Sequence, residues 1–235
     1  ANYRQISKIL VNPNNGNEIL VCTTAGVYRS ADAGASFTQT VAGSFKDMEF
    51  KPGDPNIVYV AGTEFYRSTD NGQTFTKITS AFAAAANLSR MAIAVSPANP
   101  SIVYVLSAKV ASDYGFEGLY KSTNSGASFT KVTVSTPSNI LGWASAGNDT
   151  GGQGWYDLGF AASPTDANEI TAGGVNIWQS IDGGQNFSLN AHWTASGAPY
   201  VHADCHDLIY RDGSTIYAGC DGGIFTTTNG GNSWD

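Results

Sequence analysis

Apolar residues in this chain come in short bursts. NEILVCTTA, NIVYVAGT, SIVYVLSA, NEITAGGV and STIYAGC are each rich in β-branched, aromatic or small apolar residues for a few positions and then stop. A shorter burst stands before each one: SKILV, DMEF, MAIAV, DLGF and HDLIY. The two are joined by polar turn chemistry, NPNNGN, KPGDPN, SPANPS, SPTDAN and RDGS, where Pro, Asn, Asp and Gly favour chain reversal. After each second burst comes a third segment of one form: GVYRSADAGASF, EFYRSTDNGQTF, GLYKSTNSGASF, NIWQSIDGGQNF and GIFTTTNGGNSW. A fourth short strand follows, such as FTKIT.

The unit therefore reads strand, turn, strand, loop, strand, tight turn, strand. Ser30, Ser68, Ser122, Ser180 and Thr227 mark the same point in five copies, 38, 54, 58 and 47 residues apart. A four-stranded meander repeated every 40 to 60 residues or so predicts an all-β propeller of four-stranded blades. The units lie near 7–45, 46–89, 90–136, 155–192 and 205–235, within one domain spanning 1–235 or a fragment of a larger propeller. The fifth unit stops at Asp235, before its last strand. Either residues 1–7 supply that strand and close a five-bladed ring, or further blades belong to the assembly. An open sheet edge favours the first.

Within the tight turn, Asp32, Asp70, Asn124, Asp182 and Asn229 hold one position and Gly34, Gly72, Gly126, Gly184 and Gly231 another. An Asx side chain there can accept backbone N–H bonds, and the glycine permits a positive φ. Phe37, Phe75, Phe129, Phe187 and Trp234 are expected to pack back between strands. These positions are read as architecture. The pattern resembles the Asp box, or BNR repeat, of sortilin-type and xyloglucan-hydrolysing propellers, and the match covers nearly the whole chain. Photosystem II assembly factors and sialidases share the same box. Residues 142–235 resemble more narrowly large secreted propeller proteins of Bacteroidota, many exported by the type IX pathway. That resemblance implies a secreted or cell-surface location, and it favours a larger propeller with further blades over the closed five-bladed ring. The xyloglucan-hydrolysing relatives use two aspartates from different blades. No adjoining motif places either on this chain, so neither is carried over.

Charge narrows the partners. With only 13% charged residues, a net charge of −7 and no basic stripe, the chain lacks the footprint of a nucleic-acid binder. No apolar stretch reaches the length of about 18 residues needed for a membrane span. Sialidase chemistry needs an arginine cluster. The chain has few arginines, and Arg29 and Arg67 belong to the repeat itself. Cys205 and Cys220 flank a hairpin centred on Asp212–Gly213, which would set them opposite each other as a disulfide or as two buried thiols. Cys22 is left over as a small core residue.

Three long loops, 108–118, 135–157 and 190–204, are expected on one face of a propeller, and loops of that length on a rigid scaffold are a default place for binding. They bring Asp113, Tyr114 and Glu117; Trp143, Trp155, Tyr156 and Asp157; and His192, Trp193, Tyr200, His202 and Asp204. Trp143, Trp155, Tyr156, Trp193, Tyr200, His202 and His206 are the candidate ligand-binding set, for a glycan or an extracellular protein. Against this stands the reading in which the aromatics fold inward and pin the loops. Asp157, Asp204 and Asp207 are candidate catalytic acids should the chain be a glycoside hydrolase. Asp47, Asp157 and Asp207 share one place at the start of an inner strand, and Asp207 is expected to bond backbone amides of the next blade. In VHADCHDLIY, strand alternation would line up His202, Asp204 and His206 on one side. No metal or cofactor is expected. A divalent ion at those three residues would need ligands nearly 7 Å apart along a straight strand to converge. A polar network at the channel mouth is the preferred reading of that cluster.

Overall fold

The computed structural model of the chain describes residues 5–110 and 113–235. The first sheet holds β1 (Ile6–Val11), β2 (Ile19–Thr23), β3 (Gly26–Ser30) and β4 (Thr38–Ala42). The second holds β5 (Asp47–Lys51), β6 (Asp54–Ala61), β7 (Phe65–Ser68) and β8 (Thr76–Ile78). The third, entered through a single 3-10 turn at Ala85–Asn87, holds β9 (Leu88–Val95), β10 (Val103–Lys109), β11 (Phe116–Ser122) and β12 (Thr130–Lys131). The fourth holds β13 (Gly159–Ala162), β14 (Ile170–Gly173), β15 (Ile177–Ser180) and β16 (Ser188–Ala191). The fifth holds β17 (Cys205–Tyr210), β18 (Ile216–Cys220) and β19 (Gly223–Thr227). Strands follow chain order in every sheet, and every pairing within the sheets is antiparallel. This is the meander expected from the repeat, and the architecture matches propeller folds. Among the described residues no helix is long and apolar enough to cross a membrane.

The second strand of each unit reads as a continuous apolar run because both its faces are covered. In β6, Val58 and Val60 pack with Leu20, Cys22 and Met48, toward the first sheet. The alternate residues Tyr59 and Ala61 pack with Met91, Ile93 and Tyr120, toward the third. β10 repeats the division, with Val103 and Val105 on one side and Tyr104 and Leu106 on the other. Four such layers join the five sheets. The core is thus distributed between sheets, and no sheet buries both faces alone.

The tight turns are alike in all five units. In the first, Ser30 Oγ accepts the N–H of Asp32 and Gly34, while Asp32 Oδ1 accepts that of Ser36. Asn124 and Asn229 reproduce the bond with Ser128 and Ser233. The five turn glycines all have positive φ, from 71° to 91°. The repeated aromatic of the last four units packs into the layer against the preceding sheet: Phe75, Phe129, Phe187 and Trp234. Phe37 departs from the expectation and stays 44% exposed, because no described sheet precedes the first.

The end of the chain also differs from one expectation. Ile6 and Ser7 form the start of β1 and pair with β2, so they do not complete the fifth sheet. Residues 1–4 lie outside the described residues. The fifth sheet has three strands, and Asp235 exchanges both backbone bonds with Thr226 of β19, at 2.8 and 2.9 Å.

Candidate functional site

The inner strands β1, β5, β9, β13 and β17 border a common cavity lined by Lys8, Asp47, Arg90, Phe160, His206 and Asp207. Asp47 ties its lower wall together. One oxygen takes the Met48 N–H and Lys8 Nζ, and the other takes the Ile93 N–H of the next sheet at 2.7 Å. Lys8 also pairs with Glu49, whose carboxyl burial pushes upward. Asp207, expected to bond the next blade's amides, instead opens onto the channel, where partial burial raises its carboxyl. Asp47 holds the role anticipated for it.

Above this wall the long loop 135–157 is fixed by its own polar groups. Asn139 is buried and makes four bonds: its oxygen takes the N–H of Phe116 and Leu141, and its amide donates to the carbonyls of Asp149 and Gly151. Asp149 Oδ2 accepts from Trp143 and Ala144. Asn176, buried in the turn between β14 and β15, donates to the carbonyls of Gly142 and Trp143. His192, 5% exposed, accepts Thr194 N–H on Nδ1, which leaves Nε2 to donate to Trp143 O at 3.1 Å. Asn139 and Asn176 are thus clamps that the sequence did not mark, since nothing local sets them apart from other loop polars, while His192, named with its loop, turns out to be a third.

With the loops pinned by polar groups, the aromatics are free to face out. Trp155 is 53% exposed, Tyr200 47%, Trp193 42%, Trp143 40% and Tyr156 39%, which overturns the inward-folding reading. They form separate groups. Tyr114, Trp155, Tyr156 and His206 make a continuous ladder with ring centroids 6.0, 5.5 and 4.8 Å apart. Trp143 and Trp193 form a second patch, bridged by Trp193 Nε1 donating to Trp143 O. Tyr200 sits apart, edge-on to Phe225.

Beside the ladder lie two cations, Arg90 and Lys46, which line one cavity of about 410 Å³ with Trp155, Tyr156 and His206. Arg90 donates to Tyr156 O at 2.8 Å, yet its Nε has no partner. Neither cation enters an ion pair among the described residues. Burial lowers the pKa of the Arg90 guanidinium, while the Asp47 and Asp157 carboxyls act on it through space in the opposite sense.

The residues of VHADCHDLIY separate. Asp204 adopts a left-handed φ of 64°, and a bulge falls between Cys205 and Asp207, so the expected alternation of His202, Asp204 and His206 is broken twice. His202 Nδ1 meets Ala203 O, Asp204 takes Gln153 Nε2 at 2.9 Å, and His206 Nε2 meets Asp221 Oδ1 at 2.7 Å. Tyr156 donates its hydroxyl to Asp221 as well, and these two bonds hold the Asp221 carboxyl below its usual range. Among the described residues no group of three His, Cys, Asp or Glu side chains is placed to hold a metal. Asp157 is the outlier. It is 1% exposed, neither oxygen has a hydrogen-bond partner, and burial, with the Asp204 charge nearby, pushes its carboxyl up to about 8.

Similarity to known proteins follows this architecture. The family model for Sortilin-Vps10, described as sortilin, neurotensin receptor 3, matches residues 25–154, more than half of the chain. No curated protein sequence matches. Among solved structures, an ancestral GH74 enzyme aligns at TM-score 0.71 and 18% identity over 98% of this chain and 31% of its own. The GH74 xyloglucanase from Xanthomonas campestris aligns at 0.67 and 18% over 96% and 38%. YCF48 bound to D1 peptide aligns at 0.58 and 14% over 99% and 66%. At these identities the likeness is one of fold, and the chain spans about a third of the length of the two GH74 enzymes. With its repeated meander, five stacked antiparallel sheets and a family match across residues 25–154, the chain belongs to the Sortilin-Vps10 family.

Proposed function

We propose that the chain is a recognition module outside the cytoplasm, which binds an extended acidic segment of a protein across the channel mouth. The observation that carries this reading is the ladder Tyr114–Trp155–Tyr156–His206 standing beside Arg90 and Lys46, two cations that form no direct ion pair among the described residues. Exposed rings supply contact area at low entropic cost, and the unpaired cations supply a place for a carboxylate. YCF48 offers a precedent for a propeller holding a peptide, and the family description names a receptor. The extracytoplasmic placement rests on the likeness of residues 142–235 to secreted propellers. A glycan is the other ligand class that such rings suit, through the C–H faces of its sugars.

The test presents wild type, Trp155→Ala and Arg90→Gln with arrays of acidic peptides and of neutral and acidic glycans. Binding of acidic peptides, weakened at least tenfold by either substitution and weakened by salt, is expected. Binding of glycans alone, lost in Trp193→Ala, would shift the ligand class to sugar.

A second reading, glycoside hydrolysis, is favoured by one observation. Burial lets Asp157 keep a proton near neutral pH, with the Asp204 carboxyl close by, and a protonated acid is what such chemistry needs. Its burial at 1% exposure leaves no opening for a substrate, and Asp204 is already engaged by Gln153. Release of reducing sugar from xyloglucan, abolished in Asp157→Asn, would reverse the order of the two readings.

A further inference from the structure

Cys205 and Cys220 have no part in the recognition site, yet they occupy a defined place in the fifth sheet. They are direct cross-strand partners in the β17–β18 register. The Asp221 N–H donates to Asp204 O one step beyond them, at 3.3 Å, and the regular ladder resumes at Asp207 and Gly219. The pair therefore fills a non-hydrogen-bonded position, where facing Cα atoms lie about 4.5 Å apart. That spacing falls within the range of about 4.4 to 6.8 Å that a disulfide spans.

The two thiols differ in access. Cys205 is fully buried, its sulfur seated against the fourth sheet: a Cβ added at Gly173 would come within 2.7 Å of it. Its thiol donates weakly to Asp207 O at 3.5 Å. Cys220 packs on the same apolar cluster but is only half-buried. Contact with the Cys220 sulfur, together with burial, keeps the Cys205 thiol well above its usual range. Cys22 lies in another layer, fully buried, with its thiol pushed up to about 12 by burial.

We propose that Cys205 and Cys220 are a dithiol site that closes to a cross-strand disulfide and clasps the loops carrying Asp204 and Asp221. The oxidant class is a small-molecule disulfide. The Cys220 thiolate attacks it, releasing one thiolate and forming a mixed disulfide. Cys205, losing its proton to solvent, then attacks Cys220 Sγ and releases the second thiolate. Two protein thiols are oxidised, one disulfide is reduced to two thiols, and no other redox partner enters. His206 follows Cys205 and Asp221 follows Cys220, so the bond secures the His206–Asp221 contact at its root.

The test uses the chain as it stands, treated natively with oxidised glutathione, alkylated, digested and weighed. The expected product is lighter by two hydrogens, contains a linked peptide pair from 205 and 220, and leaves Cys22 as the one thiol alkylated after denaturation. Cys22→Ser should give the same link. A stable glutathione adduct on Cys220, or a link that involves Cys22, overturns the proposal. Hydrogen exchange reports on the clasp: amides of 201–204 and 221–223 should exchange about tenfold more slowly in the oxidised chain. Equal exchange in the two states overturns the clasping role. None of these readouts depends on what the recognition site binds.

Discussion

Asp157 shows how far two identical residue types can diverge. The sequence presents Asp157, Asp204 and Asp207 as three comparable acids. The structure buries the first without partners, gives the second to Gln153 and turns the third to the channel. A carboxyl whose pKa rises on folding holds a proton that the unfolded chain has already lost. Stability from this group is therefore full below the unfolded pKa of 3.8 and declines as pH climbs through about 8. Asp157→Asn keeps the shape and removes the titration. Urea unfolding should show the variant more stable than wild type at pH 8, by on the order of 2 kcal/mol, and close to it at pH 4. A variant less stable at both pH values would mean that Asp157 is held ionised by a partner. Burial of this kind depends on which loops meet above the residue, so nothing in YDLGF announces it.

At the scale of the element, the tight turn was fully legible, because its bonds run within seven residues. Asp182 Oδ1 accepts from Gln185 and Asn186, and Ser180 Oγ accepts from Gly184; burial raises the Asp182 carboxyl, but the bonds from Asn186, Ser180 and Gln185 together outweigh it and bring the carboxyl to about 2. A lowered carboxyl pKa contributes stability above the unfolded pKa of 3.8, and that contribution is lost as pH falls toward about 2. Asp182→Ala should cost about 1–2 kcal/mol at pH 7, the value of the orphaned amide bonds. Asp182→Asn should cost less, since Asn124 serves the same turn, and its stability between pH 2 and 4 should fall less steeply than that of wild type. Thermal melts across that pH range measure both. The loop 201–204 was not legible in the same way. Its reversal at Asp204 and the bulge after it are set by contacts with Gln153 and Asp221, far off in sequence.

Across the whole molecule the sheets are joined by a repeated gesture. Arg29 reaches the Asn71 carbonyl of the next turn, Arg67 that of Ser125, and Asn190 that of Gly230. The turn glycines press back in return: Gly72 onto Leu20, Gly126 onto Tyr59, Gly184 onto Leu119 and Gly231 onto Asn190. Gly184→Ala would drive its Cβ into Leu119 Cδ2 at a φ of 91°, and should lower stability by about 2–3 kcal/mol in denaturant titrations. The number and order of sheets could be read from the repeat. The reach from one unit to the next could not, because it joins positions 40 to 60 residues apart with no shared pattern.

This gesture has a direction. Gly34 has only Ile19 and its own Phe37 near it, and Ile9 and Val11 stand 55% and 52% exposed on that first face. The opposite face, on the fifth sheet, presents Ile209 and Ile224 at 55% and 77%. The two ends are front and back of one stacking rule, so they present different surfaces. Each unit therefore reads its neighbour in one sense only, reaching forward with a side chain and receiving the next turn in return. A molecule stacked in this way carries polarity, as a filament does, in a fold whose name suggests only a wheel.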